Sequence, residues 1–278
     1  MSDKSIVLYD NIDSKDSSNL IYNTSIDIKC HETGEYIFKG LKNKVVISGS
    51  GIIARKLFDL GSEDVIPSYN DSIPGYYQPS GIDTTAISAK DKIKNSKVLL
   101  FCCGMDGCGD QNSQVYPVNY TSRIDPIPFR FQTADIDLSS DLRDVYFGRA
   151  EKTVNDNDFI AYYFKKFDSV KLVQKWSDGN DVTSTVYDQD GSAETYVEIT
   201  LSITKEDFRD YFNNASTIEQ ARINCISLCS AYPCVNGGAS GDGFIYYQDI
   251  KPLTRLNFPN ESLIDISKGI DIIYHVYM

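Results

Sequence analysis

Apolar and polar residues alternate along several stretches of the chain, which is the pattern of β-strands with one buried face. The clearest stretch is 194–203, where Val197, Ile199, Leu201 and Ile203 point to one side of an extended chain, with polar residues or tyrosine on the other. One face of this strand is therefore predicted to join a core. Further strands are predicted at 97–103, 159–167, 170–176, 182–187, 223–232, 244–248 and 270–278.

Short polar breaks separate the four strands predicted between residues 159 and 203. The breaks are 168–169, 177–181 and 188–192, and the last two contain Asp-Gly, a strong hairpin signal. These four strands are therefore predicted to form an antiparallel meander.

A helix is predicted after two short strands, which lie around 36–38 and 45–47. At about 48–60 the apolar residues recur at helical spacing, and either Ser48 or Ser50 can cap the first amides of the helix. This is the longest helix that the sequence predicts.

Two later motifs mark the starts of short helices. Thr204-x-x-Asp207 resembles a capping box with Asp in place of the usual Glu, and Ser216-x-x-Glu219 has the standard form. The first of these helices is expected to run through Phe208 and Phe212. Both helices would interrupt the sheet.

Together the elements predict a mainly β fold, an antiparallel β-sandwich or jelly-roll-like core with a few short peripheral helices and long loops. Residues 1–25 are expected to form an N-terminal arm, because they are too polar to order themselves. Residues 26–278 are expected to form a single β-sandwich domain. Stretches rich in Pro, Gly, Ser and Asp at about 62–95 and 104–130 are predicted as long loop insertions.

Composition and charge restrict the function. The chain has 27 Lys and Arg against 39 Asp and Glu, a formal net charge of −12, so we expect no direct nucleic-acid binding. Its 41% hydrophobic and 12% aromatic residues indicate a folded protein. No apolar run approaches the roughly 18 to 20 residues that span a bilayer, and the charged N-terminus does not resemble a signal peptide. We therefore expect a soluble protein that does not contact a membrane.

Seven cysteines could supply a zinc site or a disulfide, but their spacing selects neither. A zinc ribbon needs two tight Cys-x2-Cys turns, whereas Cys225 and Cys229 lie four residues apart in a predicted strand. A disulfide from Cys103 or Cys108 to Cys234 stays open. With no secretory signal, reduced thiols packed as small hydrophobic side chains are the preferred interpretation.

Residues for catalysis are scarce. The two histidines, His31 and His275, are not part of a nucleophile motif, and the glycine-rich stretches lack the Lys-Ser/Thr of a phosphate-binding loop. The acidic turns that include Asp178, Asp181 and Asp190 do not follow the register of a calcium loop. No pair of carboxylates is singled out for glycoside hydrolysis. We expect no catalytic residue, no cofactor and no metal site, and hence no enzyme.

Exposed aromatic side chains on a sandwich can form platforms that bind sugars. Trp176, Tyr162, Tyr163 and Tyr187 lie on predicted strands and are the candidates. A carbohydrate- or receptor-binding β-sandwich module is therefore the alternative function.

Two segments together carry a resemblance to a known class of proteins. In 41–61, a predicted strand is followed by a predicted helix that begins with the sequence Ser50-Gly51-x-x-Ala54-Arg55-x-Leu57. In 244–278, an aromatic-rich strand leads to a proline bend with a basic residue and then to a terminal strand of alternating Ile and Tyr. The positions that carry the second pattern are Tyr246, Pro252, Arg255, Phe258, Pro259, Ile266, Ile270, Ile272 and Tyr274.

These segments, in this order, resemble the structural proteins of tailed-bacteriophage virions from the tail, neck or baseplate. The stretches 196–208 and 223–232 resemble the paired core strands of the same class. The resemblance implies a β-sandwich without catalytic residues that forms part of a ring or collar. It implies contacts with copies of itself and with neighbouring virion proteins, and a location in the virion after synthesis in the host cytoplasm. The arm 1–25 and the loop 62–95 are the expected contact elements.

Overall fold

The fold is taken from a computed structural model, which describes residues 23–42, 44–45, 95–105, 108–111, 114–117, 126–176, 193–214, 223–235, 245–257 and 269–277. In these ranges the chain is mainly β, and two antiparallel sheets pack together as a sandwich. The predicted fold class is confirmed.

The strands fall into two groups along the chain, separated by a short helix. The first group is β1 (Asn23–Cys30), β2 (Tyr36–Lys42), β3 (Lys44–Val45), β4 (Lys97–Gly104), β5 (Cys108–Gln111), β6 (Gln114–Pro117) and β7 (Arg130–Thr133). Helix α1 (Ser140–Arg143) follows. The second group is β8 (Tyr146–Val154), β9 (Asn157–Lys166), β10 (Ser169–Trp176), β11 (Ala193–Ile203), β12 (Cys225–Val235), β13 (Ile245–Pro252), β14 (Thr254–Asn257) and β15 (Ile270–Tyr277), with helix α2 (Arg209–Asn214) after β11.

The smaller sheet has five strands in the order β10-β11-β15-β1-β2. Its middle strand is β15, the last strand of the chain, which pairs antiparallel with β11 on one side and with β1 on the other. Ile272 of β15 lies opposite Leu201 of β11 and Ile28 of β1, and all three are fully buried. The strand predicted at 270–278 is therefore confirmed, and it holds the middle of this sheet.

The larger sheet has the order β3-β14-β12-β4-β9-β7, with β13 also pairing to β12 and β8 also pairing to β9. It curls, so that β8 and β13 approach each other and the rings of Phe147 and Tyr247 meet edge to face at 4.7 Å. Gly148 of β8 has φ of +72°, and a Cβ there would lie 2.3 Å from the Phe164 ring, so only glycine fits.

The curl gives the larger sheet two apolar faces, and each face lines a separate core. The face toward the smaller sheet forms the intersheet core, which includes Phe101, Phe129, Ile226, Leu201, Ile272 and Tyr274. The opposite face forms the outer cluster, which includes Leu100, Cys102, Phe131, Phe164, Cys229 and Tyr247. Successive side chains of β4 and β12 enter the two cores in turn, so both faces of these strands are buried. This explains why the stretches 97–103 and 223–232 are almost continuously apolar.

The predicted meander is wrong at its first connection. Strand β9 belongs to the larger sheet, whereas β10 and β11 belong to the smaller one. The chain changes sheets at the break 168–169, where the N–H of Phe167 donates to Leu99 of the larger sheet and the N–H of Asp168 donates to Thr200 of the smaller sheet. Two residues can thus turn a strand into the opposite layer as well as into a hairpin.

Several predicted elements lie outside the described residues. These are the helix at about 48–60, the strand 182–187, the helix at Ser216, nearly all of the loop 62–95, and residues 1–22 of the arm 1–25. Residues 23–25 of that arm begin β1. The predicted loop 104–130 contains the small hairpin of β5 and β6. Among the described helices, none is long and apolar enough to cross a membrane.

Replacing Ile272 by Ala should lower the free energy of unfolding by about 2–5 kcal/mol, because it leaves a cavity at the centre of the smaller sheet. Urea denaturation followed by circular dichroism measures this change. The matched control is Ile136→Ala, whose side chain is 60% exposed, and it should change the free energy by less than about 0.5 kcal/mol. Equal effects of the two substitutions would contradict the placement of β15.

Candidate functional site

The most deeply buried charges of the described chain form one ion pair between the two sheets. Lys165 comes from the end of β9, and Asp207 comes from the turn between β11 and α2. The Lys165 Nζ lies 2.8 Å from the Asp207 Oδ2, and the two side chains are 4% and 0% exposed. Charges this deep need full compensation, because burial removes their hydration.

The compensation comes from hydrogen bonds around the pair. The Asp207 carboxylate also accepts from the Tyr146 hydroxyl at 2.7 Å and from the Thr204 N–H at 2.8 Å. Lys165 donates a second bond, 2.7 Å long, to the Ser202 carbonyl. The Thr204 bond is the one that a capping box makes. The predicted start of the helix is wrong, however, because residues 205–208 form turns, Phe208 has φ of +65°, and α2 begins only at Arg209.

Aromatic and cationic groups close this site from solvent. Burial, and then the negative charge of Asp207, raises the pKa of Tyr146 well above its usual value, so this hydroxyl stays protonated and donates. The Arg130 guanidinium lies 5.1 Å from the centre of the Tyr146 ring. The N–H of Phe208 donates to the Phe129 carbonyl, and their rings are 4.5 Å apart. The arrangement fastens the turn after β11 to the larger sheet.

A second acidic group, Asp137, fastens the segment between β7 and α1. Its Oδ1 accepts from the Tyr162 hydroxyl at 2.5 Å and from the Leu138 N–H at 2.7 Å, and its Oδ2 lies 3.2 Å from Arg143 and 3.5 Å from Arg149. Burial acts to raise the pKa of this carboxyl, but the hydrogen bonds and the two arginines outweigh it and lower the pKa below its usual value.

The thiols behave as packed side chains. None of the six cysteines whose side chains are described is in a disulfide, and Cys102, Cys103, Cys225, Cys229 and Cys234 are buried, as predicted. The Sγ atoms of Cys102 and Cys229 are 3.9 Å apart. Burial raises the pKa of Cys103 and of Cys229, which disfavours the reactive thiolate.

A shallow depression lies beside part of this group, and Arg255 is on its rim. The Arg255 guanidinium donates to the Cys225 Sγ at 3.3 Å. Within the described residues, no group of three or more His, Cys, Asp or Glu side chains is placed to hold a metal ion.

Each histidine lies beside a carboxylate. The His31 Nδ1 is 3.0 Å from Asp271, and the His275 Nε2 is 3.4 Å from Glu198. Ser25 lies opposite His275 in the pairing of β1 with β15, so Ser, His and Glu form a row across three adjacent strands. Hydrolysis by such a row also needs N–H donors for an oxyanion, and the ladders of these interior strands use their backbone amides.

Two of the four aromatic candidates for sugar binding are buried. Tyr162 belongs to the intersheet core and Tyr163 to the outer cluster, so neither ring forms an exposed platform. The side chain of Trp176, and Tyr187 as a whole, lie outside the described residues.

Sequence reasoning missed Lys165 and Asp137, and it identified Asp207 only as a helix-capping residue and not as half of a buried ion pair. One signal was present for Lys165, because 159–167 places Lys165 and Lys166 inside a run of apolar and aromatic residues. Only one of two adjacent lysines in a strand can face solvent.

Comparison of the chain with protein-family models, with curated proteins and with solved structures finds no match.

Replacing Asp207 by Ala should lower the free energy of unfolding by about 3–5 kcal/mol, because it leaves the Lys165 charge buried without its partner. The double variant Lys165→Met with Asp207→Leu should recover part of this loss, since it removes both charges but leaves the Tyr146 hydroxyl and the Thr204 N–H without their acceptor. Urea denaturation of the variants provides the measurement. A double variant less stable than Asp207→Ala would show that the two residues do not act as a pair.

Replacing Asp137 by Asn should destabilise the protein by about 1–3 kcal/mol at pH 7. A carboxyl whose pKa is lowered by folding contributes stability above its unfolded pKa and loses it as the pH falls through the folded pKa. The difference between wild type and variant should therefore shrink as the pH falls below the usual Asp value of 3.8. Urea denaturation between pH 7 and pH 3 checks this, and a difference that does not change with pH would refute it.

Proposed function

We propose that this protein is a non-enzymatic structural component of a tailed-phage virion, forming part of a ring or collar in the tail, neck or baseplate. The observation that carries the proposal is the edge of the smaller sheet, as far as the strands are described. Its outermost strand, β10, pairs with β11 alone among the described strands and exposes Val170 and Leu172, which are 57% and 66% exposed. An apolar strand at an open edge is suited to contacts between chains.

The position of these side chains explains their exposure. Val170 lies opposite Ile199, and Leu172 opposite Val197, so both are on the face that lines the intersheet core. The core face of the smaller sheet thus extends beyond the part that the larger sheet covers. Assembly would complete the burial of this face, which supports a structural role.

The sequence gives further support. The resemblance of 41–61 and 244–278 to virion structural proteins implies a β-sandwich, which is the fold observed. The acidic surface, with a net charge of −12, fits contacts with proteins better than contacts with phosphate backbones. The alternative, a carbohydrate- or receptor-binding module, loses two of its four aromatic candidates to the core.

Sedimentation velocity of the full chain over a range of concentrations tests the self-assembly part of this function. We expect discrete oligomers at high concentration, since closed heterologous contacts give rings. Deleting 1–20 should reduce assembly and leave the melting temperature nearly unchanged. Cryo-electron microscopy of a particle that contains the chain tests its location, and density for it outside a tail, neck or baseplate ring would overturn the proposal.

A further inference from the structure

The edge of β10 presents apolar side chains on one face and lysines on the other. Val170 and Leu172 project on the core face. Lys171 and Lys175 project on the opposite face, and neither is in an ion pair with a described residue. A partner at this edge therefore needs apolar contacts on one face and carboxylates on the other.

A second copy of β10 itself fits this edge poorly. An antiparallel register centred on Lys171 or on Val173 sets two lysines directly opposite each other, which is unfavourable. The register centred on Leu172 sets Val170 opposite the polar Gln174. Lysines on an edge strand are a known means of preventing pairing of a strand with itself.

Another exposed patch of the molecule carries the opposite charge. We define the acidic tip as Asp135, Ile136, Asp156 and Asp158. The Ile136 side chain is 60% exposed, and the three carboxylates are exposed and in no ion pair with a described residue. The acidic tip thus combines an apolar side chain with unpaired carboxylates, which is the combination that β10 requires.

The acidic tip lies at one end of the larger sheet and is built from two turns. The first turn follows β7, where the N–H of Ala134 donates to the Asp158 carbonyl near the start of β9. The second turn joins β8 to β9 and contains Asp156. Because β9 pairs with β7 on one side and with β8 on the other, two strand spacings, or about 10 Å, separate the two turns. Ile136 in the first turn can therefore contact the apolar face of β10 while Asp156 in the second turn reaches the lysines.

The two surfaces do not meet within one copy. Ile136, Val170 and Leu172 are 60%, 57% and 66% exposed, so these side chains are not packed against one another. No ion pair of the described chain joins Lys171 or Lys175 to the acidic tip. A contact between β10 and the acidic tip therefore joins two molecules.

A basic surface on β2 is the less suitable acceptor. We call Lys29, Tyr36 and Lys39 the β2 patch, in which the Tyr36 side chain is 50% exposed. The two Nζ atoms lie 4.5 and 4.9 Å from the centre of the Tyr36 ring, so both charges already have a cation–π partner. Strand β10 instead offers two exposed aliphatic side chains, and its lysines have no such contact among the described residues.

We propose that the acidic tip of one copy docks against the edge of β10 in a second copy. Ile136 covers Val170 and Leu172 on the core face, and the carboxylates pair with Lys171 and Lys175. Each copy has one tip and one edge, so the contact is heterologous and repeats around a ring when its rotation closes. This inference rests on the proposed structural role and supplies its contact between copies.

Charge reversal on the two surfaces tests the contact. The edge variant carries Lys171→Glu and Lys175→Glu. The tip variant carries Asp135→Lys and Asp158→Lys, and Asp156 is kept because its φ of +61° favours Asp over Lys. Each variant alone should raise the dissociation constant for self-association about tenfold or more in sedimentation velocity, because like charges then face each other. An equal mixture should recover assembly, because contacts between unlike copies are again complementary, and a mixture that stays dissociated would overturn the inference.

The apolar half of the contact has its own test. Ile136→Ala should raise the dissociation constant about threefold or more, because this side chain is buried only on docking. It should leave the free energy of unfolding nearly unchanged, as expected for an exposed side chain. Association equal to that of wild type would refute the contact of Ile136 with β10.

Controls matched in charge separate the contact from the effect of net charge. Lys29→Glu with Lys39→Glu changes the β2 patch, and Glu32→Lys with Glu35→Lys changes the exposed turn between β1 and β2. Both variants should associate like wild type when measured separately. Loss of assembly in the β2-patch variant but not in the edge variant would place the acidic tip on β2, and equal losses in all variants would assign the effect to net charge. Either result overturns the inference.

Carbodiimide coupling of a mixture of ¹⁴N- and ¹⁵N-labelled protein locates the contact directly, since it joins an amine to a carboxylate in contact. Links from Lys171 or Lys175 to carboxylates of the acidic tip should appear as mixed-isotope pairs, whereas Lys171 linked to Glu198 should appear only within one isotope. Oligomers without mixed links between β10 and the acidic tip would overturn the inference and leave the proposed function standing. A monomer at every concentration would overturn the inference together with self-assembly.

Discussion

The buried ion pair of Lys165 and Asp207 links the two sheets at one end of the sandwich. The surrounding structure depends on hydrogen-bond partners for both charges. The Lys165 side chain of the larger sheet is only 4% exposed, so its charge requires a carboxylate at that place. The turn after β11 supplies it, and the same turn carries Phe208 against Phe129. Thr204 and Tyr146 donate hydrogen bonds to Asp207, and the Ser202 carbonyl accepts one from Lys165. Because these bonds form together in only one arrangement, the turn has one favourable position.

The smaller sheet shows the opposite condition at β10, its outermost described strand. Its middle strand β15 is enclosed by β11 and β1, whereas β10 leaves Val170 and Leu172 exposed on the core face. We propose that this edge, with its exposed apolar side chains, is a surface for contacts between chains.

The sequence predicted the strands whose alternation is long and regular. Strands β4, β9, β10, β11, β12, β13 and β15 follow from their apolar positions. Strand β8 was missed because its sequence, YFGRAEKTV, mixes charged residues and glycine and has no regular alternation of apolar and polar positions. Strand β1 has only two inward apolar residues, Ile26 and Ile28, and was therefore divided between the predicted arm and the domain.

The ion pair could not be predicted from the sequence pattern, because Lys165 and Asp207 are brought together by the change of sheet at Asp168 and not by their spacing along the chain.

The central proposal is that β10 is open in a single copy and is covered on assembly. Hydrogen–deuterium exchange at low and high protein concentration measures this most directly. We expect the outward amides of β10 to exchange more slowly at high concentration while those of β15 stay equally protected; β10 exchange that is independent of concentration in assembled protein would contradict the account.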